Sequence, residues 1–269
     1  VITNHRLTNL VVNRLRPPSD GDIIVPNEAV CLAGTTSITC SDPDEIGVEA
    51  REVDLVSSEA AQMLPVFGQT RLIRTYSGVR PLLKGGGGDG RSISRGFQII
   101  NHGDGLYSIL GGKLTTYRLM AEEFLFKLVE KGYLPAFTRS EHSQPGFSKQ
   151  DFKVGLTRAA FDRELNDLRL RDVANPKLID YLYQQYGRQA LDILTTIKVA
   201  PEKGQALLNG QPYTAAEIEF ILENESAPKL IDVMCRRTEA QWMVWHHQQP
   251  ELAGRVAAIM AEFYGWDEG

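Results

Sequence analysis

Residues 108–118 read SILGGKLTTYR, an apolar strand pattern that runs into Gly111, Gly112 and Lys113 and then into a helical pattern. Paired glycines let a backbone approach a neighbour closely, and the unpaired amides of a first helical turn carry partial positive charge. Such a junction suits an anion or an electron-rich edge. Lys113 adds a full charge there, and Thr115 and Thr116 add hydroxyls. The same residues also fit a structural role, in which the glycines only permit tight strand–helix packing and Lys113 is solvated.

Working outward from the junction, SRGFQIINHG and GLYSIL read as a hairpin turning at Gly103-Asp104-Gly105. Beyond it, a helix is expected from about Leu114 to Lys131, with Tyr117, Ala121, Phe124 and Leu128 on its apolar face. Further upstream lie three short β-rich runs, NLVVNRL, DIIVP and AVCLAGTTS, separated by the turn-forming RPPSDGD and PNE. A helix follows over Glu49 to Leu64, where Val53, Val56, Ala60 and Met63 keep helical spacing. Strand sequence resumes in TRLIRTYSGVRPLL and is followed by the loop KGGGGDGRS. Its glycine run, Gly85 to Gly88, leads into a strand rather than a helix, so a hairpin tip is expected and not a phosphate loop.

Composition changes over residues 133–150, which are polar, proline-containing and without periodicity. That stretch is read as a linker between an α+β part, 1–132, and an all-α part, 151–269. In the second part, PKLIDYLYQQYG ends in a helix-terminating glycine and RQALDILTTIKV follows. TAAEIEFILENE places Thr214 and Glu217 at capping-box spacing. KLIDVMCRRTEAQWMVW reads as one amphipathic helix, whose Arg236 and Arg237 either face solvent or bridge to the other domain. PELAGRVAAIMAEFYG, with Pro250 near its start, is the last helix.

At 269 residues, 42% hydrophobic and 23% charged, the chain is long enough for two domains. A net charge of -5 argues against broad nucleic-acid binding. No apolar run is long enough to span a bilayer, and the first residues lack the pattern of a signal peptide. The three cysteines, Cys31, Cys40 and Cys235, form no CxxC, so reduced core thiols in a cytoplasmic protein are expected, with no metal site. None of His5, His102, His142, His246 and His247 has metal-ligand spacing; His246-His247 is read as a helix end. The chain opens on strand sequence without an initiating Met, which leads us to expect a missing N-terminal portion.

Two arginines complete the candidates. Arg80, after Ser77-Gly78 and before Pro81 in TYSGVRPLL, offers a fork for a phosphate or carboxylate, or a structural ion pair. Arg95 in ISRGF is a weaker signal by itself.

Taken in order, TYSGVRPLL, the SRG strand after a glycine-rich loop and GGKLTTYRLMAE resemble the FAD-dependent glycerol-3-phosphate dehydrogenases. NHRLTNLVVNRLRPPSDGDIIVPNEAVCLAGTTS is similar to that family's substrate-domain sheet. The front half looks closest to the anaerobic branch. The helical tail with IDVMCRRTEAQW, free of that branch's cysteine-rich segment, favours the aerobic, quinone-linked type. The resemblance implies an antiparallel substrate-domain sheet, the returning strands and helix of an FAD-binding domain, and an all-α cap. It also implies oxidation of sn-glycerol 3-phosphate to dihydroxyacetone phosphate by hydride transfer to FAD, with electrons passed to membrane quinone.

In that reading Gly111, Gly112, Lys113, Leu114 and Thr115 hold the flavin edge, while Arg80, Arg95 and Lys113 bind substrate. Arg80 and Lys113 are the candidate catalytic residues. The family's GxGxxG fingerprint does not occur here in its strand–turn–helix setting, since GGGGDG at 85–90 fits the letters but leads into a strand; the family's N-terminal active-site arginine and KGSH-like element do not occur either. The chain alone is therefore expected neither to hold FAD tightly nor to turn over. Peripheral attachment to the inner face of the cell membrane and a homodimer are compatible with the resemblance. A glycerol-phosphate oxidase using oxygen, or a non-catalytic helical interaction module, are the competing readings.

Overall fold

The computed structural model describes residues 1–17, 19–44, 46–80, 96–135 and 157–266. It divides into two compact units, Val1–Thr138 and Arg139–Gly269.

The first unit is built on a five-stranded antiparallel sheet of β1 (Ile2–Thr3), β2 (Val12–Asn13), β3 (Ile23–Asn27), β4 (Val30–Gly34) and β5 (Leu72–Arg74), in the order β2-β3-β4-β1-β5. β3 and β4 pair along their whole length, Ile24 opposite Ala33 and Val25 opposite Leu32. Alternation then sends Ile24, Cys31 and Ala33 into one core. Helix α1 (Ala50–Met63) covers that core with Val56 and Ala60. Its start is set by Glu52, whose carboxylate accepts the Glu49 amide at 3.0 Å and the Thr36 hydroxyl at 2.5 Å. The Thr36 contact and then the Glu49 amide hold that carboxyl below its ordinary range.

The RPPSDGD turn is tied to the same helix. Arg14 donates to the Glu59 carboxylate at 2.5 Å and to the Glu59 carbonyl at 2.9 Å, and Arg16 reaches the same carboxylate at 3.1 Å. Gly21, at φ +63°, fits where a side chain would meet Glu59 Cβ at 2.6 Å.

A separate two-stranded sheet joins β6 (Phe97–Gly103) to β7 (Leu106–Gly111), with Ile99 opposite Ile109. Gly103, Asp104 and Gly105 all have positive φ, as the tight turn between them requires. Helix α2 (Tyr117–Glu130) follows, and Phe124 packs edge-on against Tyr107 with ring centroids 5.5 Å apart. No α2 residue is fully buried, and Tyr117 is 58% exposed.

The described part of the second unit, residues 157–266, is built of helices: α3 (Arg158–Asp167), α4 (Pro176–Tyr186), α5 (Ala190–Val199), α6 (Ala215–Asn224), α7 (Leu230–Asp232), α8 (Ala240–Met243) and α9 (Gln249–Tyr264). Asn175 caps α4 by accepting the Leu178 amide at 2.9 Å, Pro176 occupies its first turn, and Gly187 at φ +55° ends it. Two apolar clusters fill the unit. One gathers Phe161, Leu182, Ile193 and Leu194 from α3 to α5. The other gathers Tyr213, Ile221, Val233, Val256 and Met260.

Several expectations need correction. NLVVNRL pairs only at Val12 and Asn13, because Leu10 and Val11 are solvent-exposed and find no partner strand. TRLIRTYSGVR is strand only over Leu72–Arg74, and residues 75–80 take no regular form. The helix after the glycines begins with a 3-10 turn, Leu114–Thr116. KLIDVMCRRTEAQW is not one helix: α7 widens into a π turn, Val233–Arg237, and α8 starts afresh. Thr238 causes the widening, since its amide and hydroxyl both donate to the Val233 carbonyl, at 3.0 and 2.8 Å. His246 and His247 open a 3-10 turn leading into α9, so they precede a helix rather than end one. Cys31 is buried as expected of a core thiol, but Cys40 is exposed. Gly85–Gly88 and most of 133–150 lie outside the described residues.

Candidate functional site

The strand–glycine–helix junction folds as a single turn. Gly111 and Gly112 sit at φ +80° and +83°, a region costly for other L-residues, so the reversal out of β7 depends on glycine. The Gly112 amide donates to the Gly96 carbonyl at 2.9 Å, which closes the base of the hairpin. Thr116 then organises the first helical turn: its hydroxyl accepts the Lys113 amide at 3.0 Å, and its own amide returns to the Lys113 carbonyl at 2.9 Å. Lys113 and Thr115 are exposed, and Leu114 is 88% exposed.

The amides of Leu114 and Thr115 belong to a first turn, where no preceding carbonyl is available to them. Two N–H groups and a lysine are thus offered to the outside from one turn. That donor set fits the electron-rich edge of a flavin ring, and five of the seven sequence-derived site residues, Gly111 to Thr115, come together here.

Of the remaining two, only Arg80 is among the described residues. Arg80 is exposed on the irregular segment after β5, and no hydrogen bond or ion pair among the described residues links it to the turn. Arg95 lies outside the described residues.

The helical unit holds a second set of polar groups that sequence spacing only hinted at. Thr214 caps α6, accepting the Glu217 amide at 3.3 Å, but the Glu217 side chain turns to two tyrosines instead of the Thr214 amide, so only half of the expected capping box forms. Glu217 itself is fully buried, and its Oε1 accepts the hydroxyls of Tyr181 and Tyr186, each at 2.7 Å. Burial, opposed by the two phenols, pushes its carboxyl up to about 7. Burial first, and the Glu217 charge next, push both phenols upward. An acid flanked by Ala216, Ile218, Phe220 and Ile221 was the available signal of this burial.

Beside Tyr186 opens a cavity of about 360 Å³ lined by Gln185, Tyr186, Glu225, Arg236 and Arg237. Arg237 donates to the carbonyls of Glu225 and Ser226, at 2.8 and 3.1 Å, and so caps the end of α6. Arg236 pairs with Asp232. Both arginines are therefore engaged inside the helical unit.

Comparison with known proteins supplies the kinship. Residues 153–269 match the family model described as the C-terminal domain of alpha-glycerophosphate oxidase. A subunit of the anaerobic glycerol-3-phosphate dehydrogenase of Escherichia coli strain K12 is 45% identical over 130 residues, covering 45% of this chain and 24% of that protein. Its counterpart in the anaerobic glycerol-3-phosphate dehydrogenase of Haloferax volcanii is 34% identical over 230 residues, 82% of this chain and 37% of that one. Glycerol-3-phosphate dehydrogenase of Synechocystis sp. is 31% identical over 252 residues, 91% of this chain and 44% of that one. The chain spans less than half the length of each of these relatives.

Together the matches span the mixed sheet-and-helix unit and the helical domain that follows it in sequence. The chain belongs to the glycerol-3-phosphate dehydrogenase family.

Proposed function

We propose that this chain forms the substrate-side sheet, the flavin-edge turn and the helical cap of an FAD-dependent glycerol-3-phosphate dehydrogenase. In that enzyme sn-glycerol 3-phosphate is oxidised to dihydroxyacetone phosphate and the electrons pass on to quinone. The reading rests chiefly on one observation, the exposed turn that presents the Leu114 and Thr115 amides together with Lys113.

FAD, when bound, supplies the two-electron acceptor for the carbinol hydride. The residues of this chain would act around it. Gly111 and Gly112 reverse the backbone into the exposed first turn whose Leu114 and Thr115 amides would act as fixed donors, stabilising negative charge without reorganising. Lys113 adds a cation to the same edge and contacts the substrate. Arg80 and Arg95 supply two guanidinium forks, a donor set suited to a phosphate dianion. The returning strands β6 and β7 and helix α2 carry the turn as part of the FAD-binding domain. The sequence holds no glycine fingerprint that follows a strand and opens a helix, and the chain spans less than half of the relatives it matches, so tight flavin binding is assigned to an enzyme that joins this chain to such a fingerprint.

The test is anaerobic reduction of the flavin in the complete enzyme. Bleaching by sn-glycerol 3-phosphate but not by glycerol supports the proposal, and a flavin that stays oxidised with both refutes it. A second reading is favoured by the oxidase description of the domain matching residues 153–269: the acceptor is oxygen instead of quinone. Stoichiometric hydrogen peroxide during turnover, with no quinone reduction, would select that reading.

A further inference from the structure

Glu217 is the one fully buried carboxyl among the described residues, and its position matters as much as its burial. Its neighbours on α6 divide between the two apolar clusters of the helical unit. Ala216 and Phe220 join the first, with Tyr186; Ile218 and Ile221 join the second, with Tyr213. Tyr181 packs against both. The carboxyl therefore sits on the seam where α4 meets α6.

Its hydrogen bonding is lopsided. Oε1 accepts two phenolic hydrogens, while Oε2 is buried without a partner among the described residues. The groups facing it are Tyr181 and Tyr186 from α4, Tyr213 and Thr214 at the head of α6, and Glu225 at its end. Glu225 is a second acid, itself paired with Arg237 at 3.8 Å. Ionising Glu217 thus places a charge in an apolar seam with one oxygen unsatisfied and another carboxylate nearby, a costly arrangement. Protonated, the group is neutral and Oε1 still accepts both phenols.

We propose that Glu217 is a proton-controlled latch on the α4–α6 seam: protonated, it holds the two helices together, and ionised, it loosens the seam and the cavity wall that Tyr186 forms. Its upward shift, from 4.5 to about 7, sets the window. Because the folded value lies above the unfolded one, the folded state holds the extra proton between those two values. Stability is therefore greatest on the acid side, falls as pH rises from about 4.5 to 7, and levels off above. Between pH ~5.5 and ~8 the opening constant of the seam should rise roughly 25-fold.

The experiment is hydrogen–deuterium exchange on the 269-residue chain at those two pH values, read as protection factors so that the intrinsic pH dependence of exchange cancels. Amides of α4 and α6 are expected to lose about 25-fold in protection in the wild type, and to change little in Glu217→Gln. Equal loss in both proteins, or no loss in the wild type, overturns the proposal. Should Glu217→Gln fail to fold, infrared spectra of the wild type decide the matter. A buried un-ionised carboxyl band present at the lower pH and lost at the higher supports the latch, and its absence at the lower pH overturns it.

Discussion

Replacing Gly112 by alanine probes the turn on which the functional reading depends. The residue sits at φ +83°, so any L side chain there costs about 1–2 kcal/mol in backbone strain. Its Cβ would also overlap the Met120 thioether, with Cε at 2.8 Å. A methionine can swing away, at about 0.5–1.5 kcal/mol for leaving its rotamer. The sum is about 1.5–3.5 kcal/mol, borne locally by the β7–α2 turn. Adding Met120→Ala should return only the second part, because the strained φ remains. A whole-chain melt would blur this, since two units need not unfold together. Hydrogen exchange of the amides at the start of α2 is the suitable assay, with roughly 10-fold or greater loss of protection expected for Gly112→Ala. Gly132, also at positive φ but with nothing within 4 Å of an added Cβ, is the control that isolates strain. If Gly112→Ala leaves α2 protection unchanged, the argument that glycine is required at this reversal is wrong.

Three further outcomes follow from the packing. Thr214→Ala removes the cap of α6 and should destabilise the helical unit by about 1 kcal/mol, measured by urea denaturation. Leu182→Ala empties a fully buried position in the first helical cluster and should cost about 2–5 kcal/mol by the same measurement. Gly21→Ala, facing Glu59 at 2.6 Å and strained at positive φ, should loosen the Arg14–Glu59 tie, seen as faster exchange at the head of β3.

What could be read from residues alone was the part written in local chemistry. Gly103-Asp104-Gly105 has few conformational options between two apolar runs, and the hairpin forms there. Thr214 marks a helix start and Gly187 a helix stop, and both do so. Strand lengths were overestimated because pairing is set by partners and not by propensity. The strand-like TYSGVR has no ladder partner beyond Arg74 among the described residues. The π turn at Val233–Arg237 was hidden because it depends on Thr238, a residue outside the apolar pattern. The candidate site was half legible: the glycine–lysine turn announces itself by position, whereas nothing local to Arg80 says what it faces. Glu217 read only as the acid of a capping box, and its burial comes from α4, which precedes it by more than thirty residues at Tyr186 and Tyr181.

The central claim, that the Gly111–Thr115 turn with Lys113 serves the redox site, is tested most directly by Lys113→Ala in the complete enzyme. The measurement is the anaerobic rate of flavin reduction by saturating sn-glycerol 3-phosphate. The account predicts that bound flavin is retained while the reduction rate falls by about 100-fold or more, as expected for losing one preorganised charge beside developing negative charge. An unchanged rate with Lys113 removed would contradict it.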